Sequence, residues 1–344
     1  MRGTVKRLIN EGVAVWLDGI GRGRPAGSGL QRLIADHGVT GARFDPAAVW
    51  DPYDLQDACD ALRPAHLRTA RRDGLVSVPL GPWPAGDARQ LLTQARALRH
   101  EVRRPNLLVQ IPATTEALPV LTDCLAEGIG VDATLIFSTQ RYGQVVEAFM
   151  TGLERAAGAG HDLGVLASTA SFPLVPLDAE VDAWLEKAGT DESKALRGRA
   201  AVATARLVHQ AHEELFSSAR WGRLAAAGAS TQRLLWLPGG PVVATGDPVR
   251  RVEELVTRGT ATALTEVTLR AVAERGVVAG DRVLRHYADA ARTLDYLGWF
   301  GVSSTEVAGR LEEAGLNALV ASQVDRAVAE LGDRDNAPSA RKHT

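Results

Sequence analysis

The sequence predicts a single (β/α)8 barrel with extra helices at both ends, and three observations carry that expectation. The chain is 344 residues and 36.6 kDa, the length of one barrel of about 250 residues with additions. Eight short runs rich in Val, Leu and Ile alternate with longer helical patterns. No G-x-G-x-x-G follows any of them, so a doubly wound open sheet lacks its usual signature.

The apolar runs are VAVWLD (13–18), VTGARF (39–44), LVSVPL (75–80), NLLVQIP (106–112), DATLIF (132–137), VLASTASF (165–172), RLLWLP (233–238) and TATALT (260–265). Short unbroken apolar runs mark strands buried on both faces. Between them, Ala85–His100, Glu116–Glu127, Thr139–Ala157 and the long Glu192–Phe216 stretch carry apolar residues at helical spacing. Strands alternating with helices argue for a parallel sheet, and eight of them for a closed one. Two terminal helices are expected over Asp281–Leu297 and Ser304–Leu331. Residues 1–331 then form one domain and the polar residues 332–344 a disordered tail.

Composition narrows the function classes. Charged residues are 23%, apolar residues 45%, and the formal net charge is −2. A chain with no basic excess is a poor match for a nucleic-acid partner. The two cysteines, Cys59 and Cys124, exclude a disulfide scaffold and a Cys-based zinc site. The N-terminal residues are interrupted by charges, and no uncharged apolar run reaches the roughly 20 residues of a membrane span. The expectation is a cytoplasmic protein with no membrane partner, no cofactor and no bound metal; a homodimer stays open. His209 and His212, three apart in ARLVHQAHEELF, read as a solvated helix face rather than metal ligands. Only four of the 39 basic residues are lysines: Lys6, Lys187, Lys194 and Lys342.

Seven segments follow one another in a recognisable order: WLDGIGR (16–22), GVTGARFDPA (38–47), RPNLLVQIPAT (104–114), GIGVDATLIFSTQRY (128–142), ASFPLVPLDAEVD (170–182), RLLW (233–236) and VEELVTRGTATALTEVTLRA (252–271). In order and spacing they resemble the bacterial transaldolases, over about residues 2–331. The resemblance implies a (β/α)8 barrel that moves a three-carbon ketol unit between sugar phosphates through a lysine Schiff base, with chemistry at the C-terminal ends of the strands.

Carried over position by position, the resemblance places the site at Asp18, Asp45, Gln110, Asp132, Thr134 and Ser171. Asp18 keeps the family aspartate after the first strand, Thr134 the threonine that holds a catalytic water, and Ser171 the serine of the sixth strand. Gln110, in VQIPAT, stands where the family has its Schiff-base lysine, and a carboxamide nitrogen cannot form an iminium ion. Asp45, in RFDPA, replaces the asparagine of a TSNPA-like pattern, and Asp132 the asparagine of the fifth strand. Pro79 stands for the proton-shuttling glutamate and Pro176 for a phosphate-binding arginine. Gln110 and Pro176 each lose a positive charge, Asp45 and Asp132 each add a negative one, and Pro79 removes a negative one. The net shift is three negative charges relative to the family pattern.

These substitutions lead to an expected function. The pocket should be acidic, with carboxylates that raise each other's pKa, unsuited to sugar phosphates and favouring a neutral or amine-bearing small-molecule substrate. The expected protein is a transaldolase-like barrel repurposed for carbon–carbon or other carbonyl chemistry without a lysine Schiff base. The alternatives are a non-catalytic homologue with a binding or assembly role, and a working transaldolase of the pentose phosphate pathway.

Overall fold

The computed structural model of the chain describes residues 3–21, 28–48, 50–81, 87–239 and 246–335. Eight parallel strands close into a ring in chain order: β1 (Ala14–Ile20), β2 (Gly41–Phe44), β3 (Leu75–Pro79), β4 (Leu107–Pro112), β5 (Gly130–Thr134), β6 (Ser168–Pro173), β7 (Arg233–Leu237) and β8 (Ala261–Leu264), with β8 pairing back onto β1. Helix α1 (Gly3–Asn10) precedes β1. Helices α2 (Ser28–His37), α3 (Pro52–Arg68), α4 (Ala88–Val102), α5 (Leu118–Ala126) and α6 (Thr139–Gly158) follow β1 to β5 in turn. After β6 come α7 (Leu174–Ala188), α8 (Asp191–Ala195), α9 (Ala200–Leu215) and α10 (Ala219–Ala226). Helix α11 (Pro248–Glu254) follows β7, and α12 (Glu266–Arg275), α13 (Tyr287–Trp299) and α14 (Ser304–Asp335) follow β8. This is the expected (β/α)8 barrel with added terminal helices. No described helix is long and apolar enough to cross a membrane.

The strand runs are mostly apolar because both faces are covered. Val15, Leu17, Phe44, Val109, Ile111 and Trp236 point outward into the layer shared with the helices. Their neighbours Ala14, Trp16, Leu75, Leu108, Leu235 and Ala263 form a separate apolar plug inside the ring. That alternation is the period of two of a strand applied to two apolar environments. Trp16 fills the interior only because residue 41, its register partner on β2, is glycine. A Cβ there would lie 2.3 Å from the indole ring.

Helix starts follow local chemistry. Asp51 caps α3 through the Asp54 N–H, with the Asp54 carboxylate returning the bond to the Asp51 N–H, a reciprocal capping box. Asp87 and Ser138 cap α4 and α6.

Three boundaries differ from the sequence expectation. The continuous helix expected over Glu192–Phe216 is two helices, α8 and α9, separated by a turn in which Gly198 takes a φ of 67°. The fifth strand runs over Gly130–Thr134 and not 132–137, because Leu135 adopts a left-handed φ of 59° and breaks it. Helix α14 continues through Asp335, into the stretch expected to be a tail; residues 336–344 lie outside the described residues.

Candidate active site

The inner face of the ring carries a polar belt above the apolar plug. Hydrogen bonds that skip a strand prove that these side chains point inward. Ser77 on β3 donates to Asp132 on β5 at 2.6 Å, past β4. Arg43 on β2 donates from Nη2 to Gln110 Oε1 on β4 at 3.4 Å, past β3.

Asp132 is the most enclosed member, with no exposed surface. Its Oδ1 accepts from Thr169 Oγ1 at 2.9 Å and Ser171 Oγ at 2.6 Å, and its Oδ2 from Ser77. Arg43 Nε lies 3.7 Å from Oδ2. Burial pushes the Asp132 carboxyl above the usual carboxylate range, while Arg43 and the three hydroxyls oppose that shift. The hydroxyl donors satisfy the carboxylate lone pairs, as a buried charge requires.

Asp18 is the second carboxylate. Its Oδ1 accepts from Arg43 Nη1 at 3.3 Å. Its pKa is likewise raised, by burial first, with Arg43 pulling down and Asp45 adding a smaller push upward. Arg43 is therefore the hub, touching Asp18, Gln110 and Asp132 from one guanidinium. The Gln110 amide donates onward to the Phe44 carbonyl at 3.3 Å.

The structure thus brings Asp18, Gln110, Asp132 and Ser171 together. Asp45 and Thr134 sit at strand ends beside this cluster, Thr134 on the face of β5 that carries Asp132. Asp45 lies just past β2, and its carboxylate accepts from the Ala47 N–H at 2.9 Å. Thr134 is the buried last residue of β5. Arg43 stands between the Asp18 and Asp132 carboxylates and Asp132 sits mid-strand, whereas Asp45 stays near enough to Asp18 to push its pKa up. Sequence reasoning missed Arg43. The available signal was an arginine inside the apolar run GARF. Counting it reduces the shift relative to the family pattern from three negative charges to two.

Pro79 ends β3 beside Gln110 in register, and Pro176 is exposed in the first turn of α7. Lys6 lies on α1, Lys187 in the last turn of α7 and Lys194 on α8, where it pairs with Asp191 at 3.1 Å. Lys342 and residues 240–245 fall outside the described residues. Among the described residues no lysine lies on a strand, and no three His, Cys, Asp or Glu side chains converge to hold a metal ion. His209 and His212 do not form a solvated face. His209 Nδ1 bonds the Tyr287 hydroxyl at 2.8 Å, and His212 Nδ1 the buried Tyr142 hydroxyl at 2.7 Å. Burial lowers the His212 pKa to about 3.

The family model described as Transaldolase/Fructose-6-phosphate aldolase matches residues 50–327. The transaldolase of Thermobifida fusca (strain YX) is 42% identical over 352 residues, covering 94% of this chain and 96% of that protein. The transaldolase of Arthrobacter sp. (strain FB24) is 40% identical over 368 residues, with 98% of each covered. That of Acidothermus cellulolyticus is 40% identical over 363 residues, with 96% of each covered.

The chain belongs to the transaldolase family.

Membership makes it an enzyme lineage of the transferase class acting on small molecules. It also corrects the expected function. Relatives at about 40% identity over nearly the whole length carry the name transaldolase, which overturns the reading of a barrel repurposed for other carbonyl chemistry and supports the working enzyme. Arg43 offsets one of the three negative charges on which the overturned reading rests.

Proposed function

We propose that this chain is a working transaldolase, passing a three-carbon ketol unit from a ketose phosphate to an aldose phosphate. The observation that carries the reading is the full-length similarity to proteins named transaldolase. On this reading the protein is cytoplasmic and serves the pentose phosphate pathway.

We further propose that the transfer proceeds without a protein Schiff base. Gln110 offers no nucleophilic nitrogen, and Arg43 supplies the countercharge that an iminium would otherwise provide. The Asp18 carboxylate takes the proton of the donor's C4 hydroxyl. The C3–C4 bond breaks, its electron pair passes to the C2 carbonyl as an enediolate facing Arg43, and the aldose leaves as an aldehyde. The enediolate carbon then attacks the acceptor aldehyde, and Asp18 returns its proton to the new alkoxide. A carboxyl with a raised pKa suits this alternation between base and acid, and a fixed guanidinium suits a developing oxyanion.

The test combines turnover with trapping. The protein is incubated with fructose 6-phosphate and an aldose phosphate acceptor, product is followed by a coupled assay, and a parallel sample is treated with borohydride before intact mass measurement. Transfer with no added mass supports both proposals. Transfer with a reduced adduct on a lysine refutes the non-covalent route and leaves the activity standing. No transfer above the protein-free control refutes the activity.

A further inference from the structure

A cavity of about 760 Å³ lies outside the barrel, walled by α8, α9, α11 and α13 and the turn before α9. It shares no residue with the polar belt. Its volume falls in the range of about 300–1,000 Å³ typical of small-molecule sites. Its walls combine two chemistries.

One is cationic. Arg199 and Arg206 are seven residues apart on α9 and its cap, which puts them on one helix face, about 10 Å apart along the axis. Two other arginines of the wall are neutralised, Arg250 by Glu254 at 2.7 Å and Arg292 by Asp289. Arg206 uses two of its five N–H donors on backbone, Nε on the Arg282 carbonyl at 3.1 Å and Nη2 on the Glu254 carbonyl at 3.3 Å. Among the described residues neither Arg199 nor Arg206 forms an ion pair with a carboxylate. Glu192 is the remaining acid of the wall and is exposed.

The other chemistry is aromatic. Trp299 is 81% exposed and Tyr296 45%, their rings edge to face at 5.2 Å, and both line the cavity. A tryptophan that open to solvent is unusual for a side chain of its size. It offers a stacking surface beside the arginines.

We propose that this cavity binds a ring-bearing phosphate monoester of about mononucleotide size, its ring stacked on Trp299 and its phosphate held by Arg199 and Arg206. Guanidinium forks match phosphate oxygens in geometry as well as charge. The proposal does not depend on the activity assigned to the barrel.

The test is calorimetric titration of the full chain with AMP and phenyl phosphate, with adenosine and inorganic phosphate as controls. Saturable binding of at least one ester is expected, with each control about tenfold weaker or worse, since a charge-assisted contact contributes roughly 1.5–3 kcal/mol and tenfold corresponds to about 1.4. Trp299→Ala and Arg199→Ala should each weaken the ester about tenfold. Both side chains are exposed, so the melting temperature should hold. No saturation by either ester up to about 1 mM overturns the proposal. So does adenosine binding as tightly as AMP, or ester affinity unchanged in both variants.

Discussion

Replacing Arg43 by methionine tests the polar belt most directly, because methionine keeps the length of the side chain and removes the cation. In the wild type the guanidinium stands 3.7 Å from Asp132 and 3.3 Å from Asp18. At an effective dielectric of about 20, a unit charge pair at that first distance attracts by about 4.5 kcal/mol. Losing the arginine also removes its own cost of burial, several kcal/mol in a site this enclosed. The three hydroxyls on Asp132 remain and keep part of its solvation. The net loss should be about 3 kcal/mol at pH 8, the lower end of what breaking a buried pair costs. The loss depends on pH. Burial holds the Asp132 carboxyl above its ordinary value of 3.8 even with Arg43 present. The folded state therefore keeps its proton to higher pH than the unfolded state, and stability falls as pH rises from about 3.8 through the folded value. Removing Arg43 deletes the influence that lowers that value, so the window widens upward and the variant approaches the wild type towards acid pH. Urea unfolding followed by circular dichroism at pH 5 and pH 8 measures this, with Asp132→Asn and the double variant completing the cycle. A loss under about 1 kcal/mol at pH 8, or a double variant whose loss equals the sum of the two singles, would show that the pair is not coupled and would refute the reasoning.

Gly41→Ala drives a methyl group into the Trp16 ring and should cost about 1–3 kcal/mol as overpacking; a melting temperature equal to the wild type would contradict the interior packing. The thiols of Cys59 and Cys124 are pushed up to about 12 by burial, so neither should react with a thiol reagent at pH 8 until the protein unfolds, and labelling of the native state by mass spectrometry would disprove this. His212 has its pKa lowered from 6.5 to about 3. The unfolded chain therefore binds the extra proton first, and stability is lost as pH falls from 6.5 towards 3. His212→Phe should flatten that slope, and an unchanged pH profile of unfolding would argue against it.

The sequence by itself determined the barrel. Eight apolar runs broken by helical patterns are a local signal, because a strand covered on both faces needs apolar residues at most positions, whatever it packs against. It also determined which chemical groups were on offer: Gln110 inside a strand, four lysines in the whole chain, and Asp18, Asp132 and Ser171 on strands. Tertiary structure alone decided how those groups meet. Arg43 and Gln110 are 67 residues apart, and Ser77 and Asp132 55 apart, so no window along the chain contains either pair. The same holds for the histidines. Spacing puts His209 and His212 near one another on α9, but only the arrival of Tyr142 from α6 and Tyr287 from α13 buries them. The start of β5 at Gly130, two residues before the apolar run, puts Asp132 in the middle of the strand, where hydroxyls from β3 and β6 enclose it. Charge counted along a sequence treats carboxylates as neighbours of one another, whereas in the closed ring the nearest charge to both Asp18 and Asp132 is the arginine between them, because an enclosed carboxylate is stable only beside the groups that compensate it.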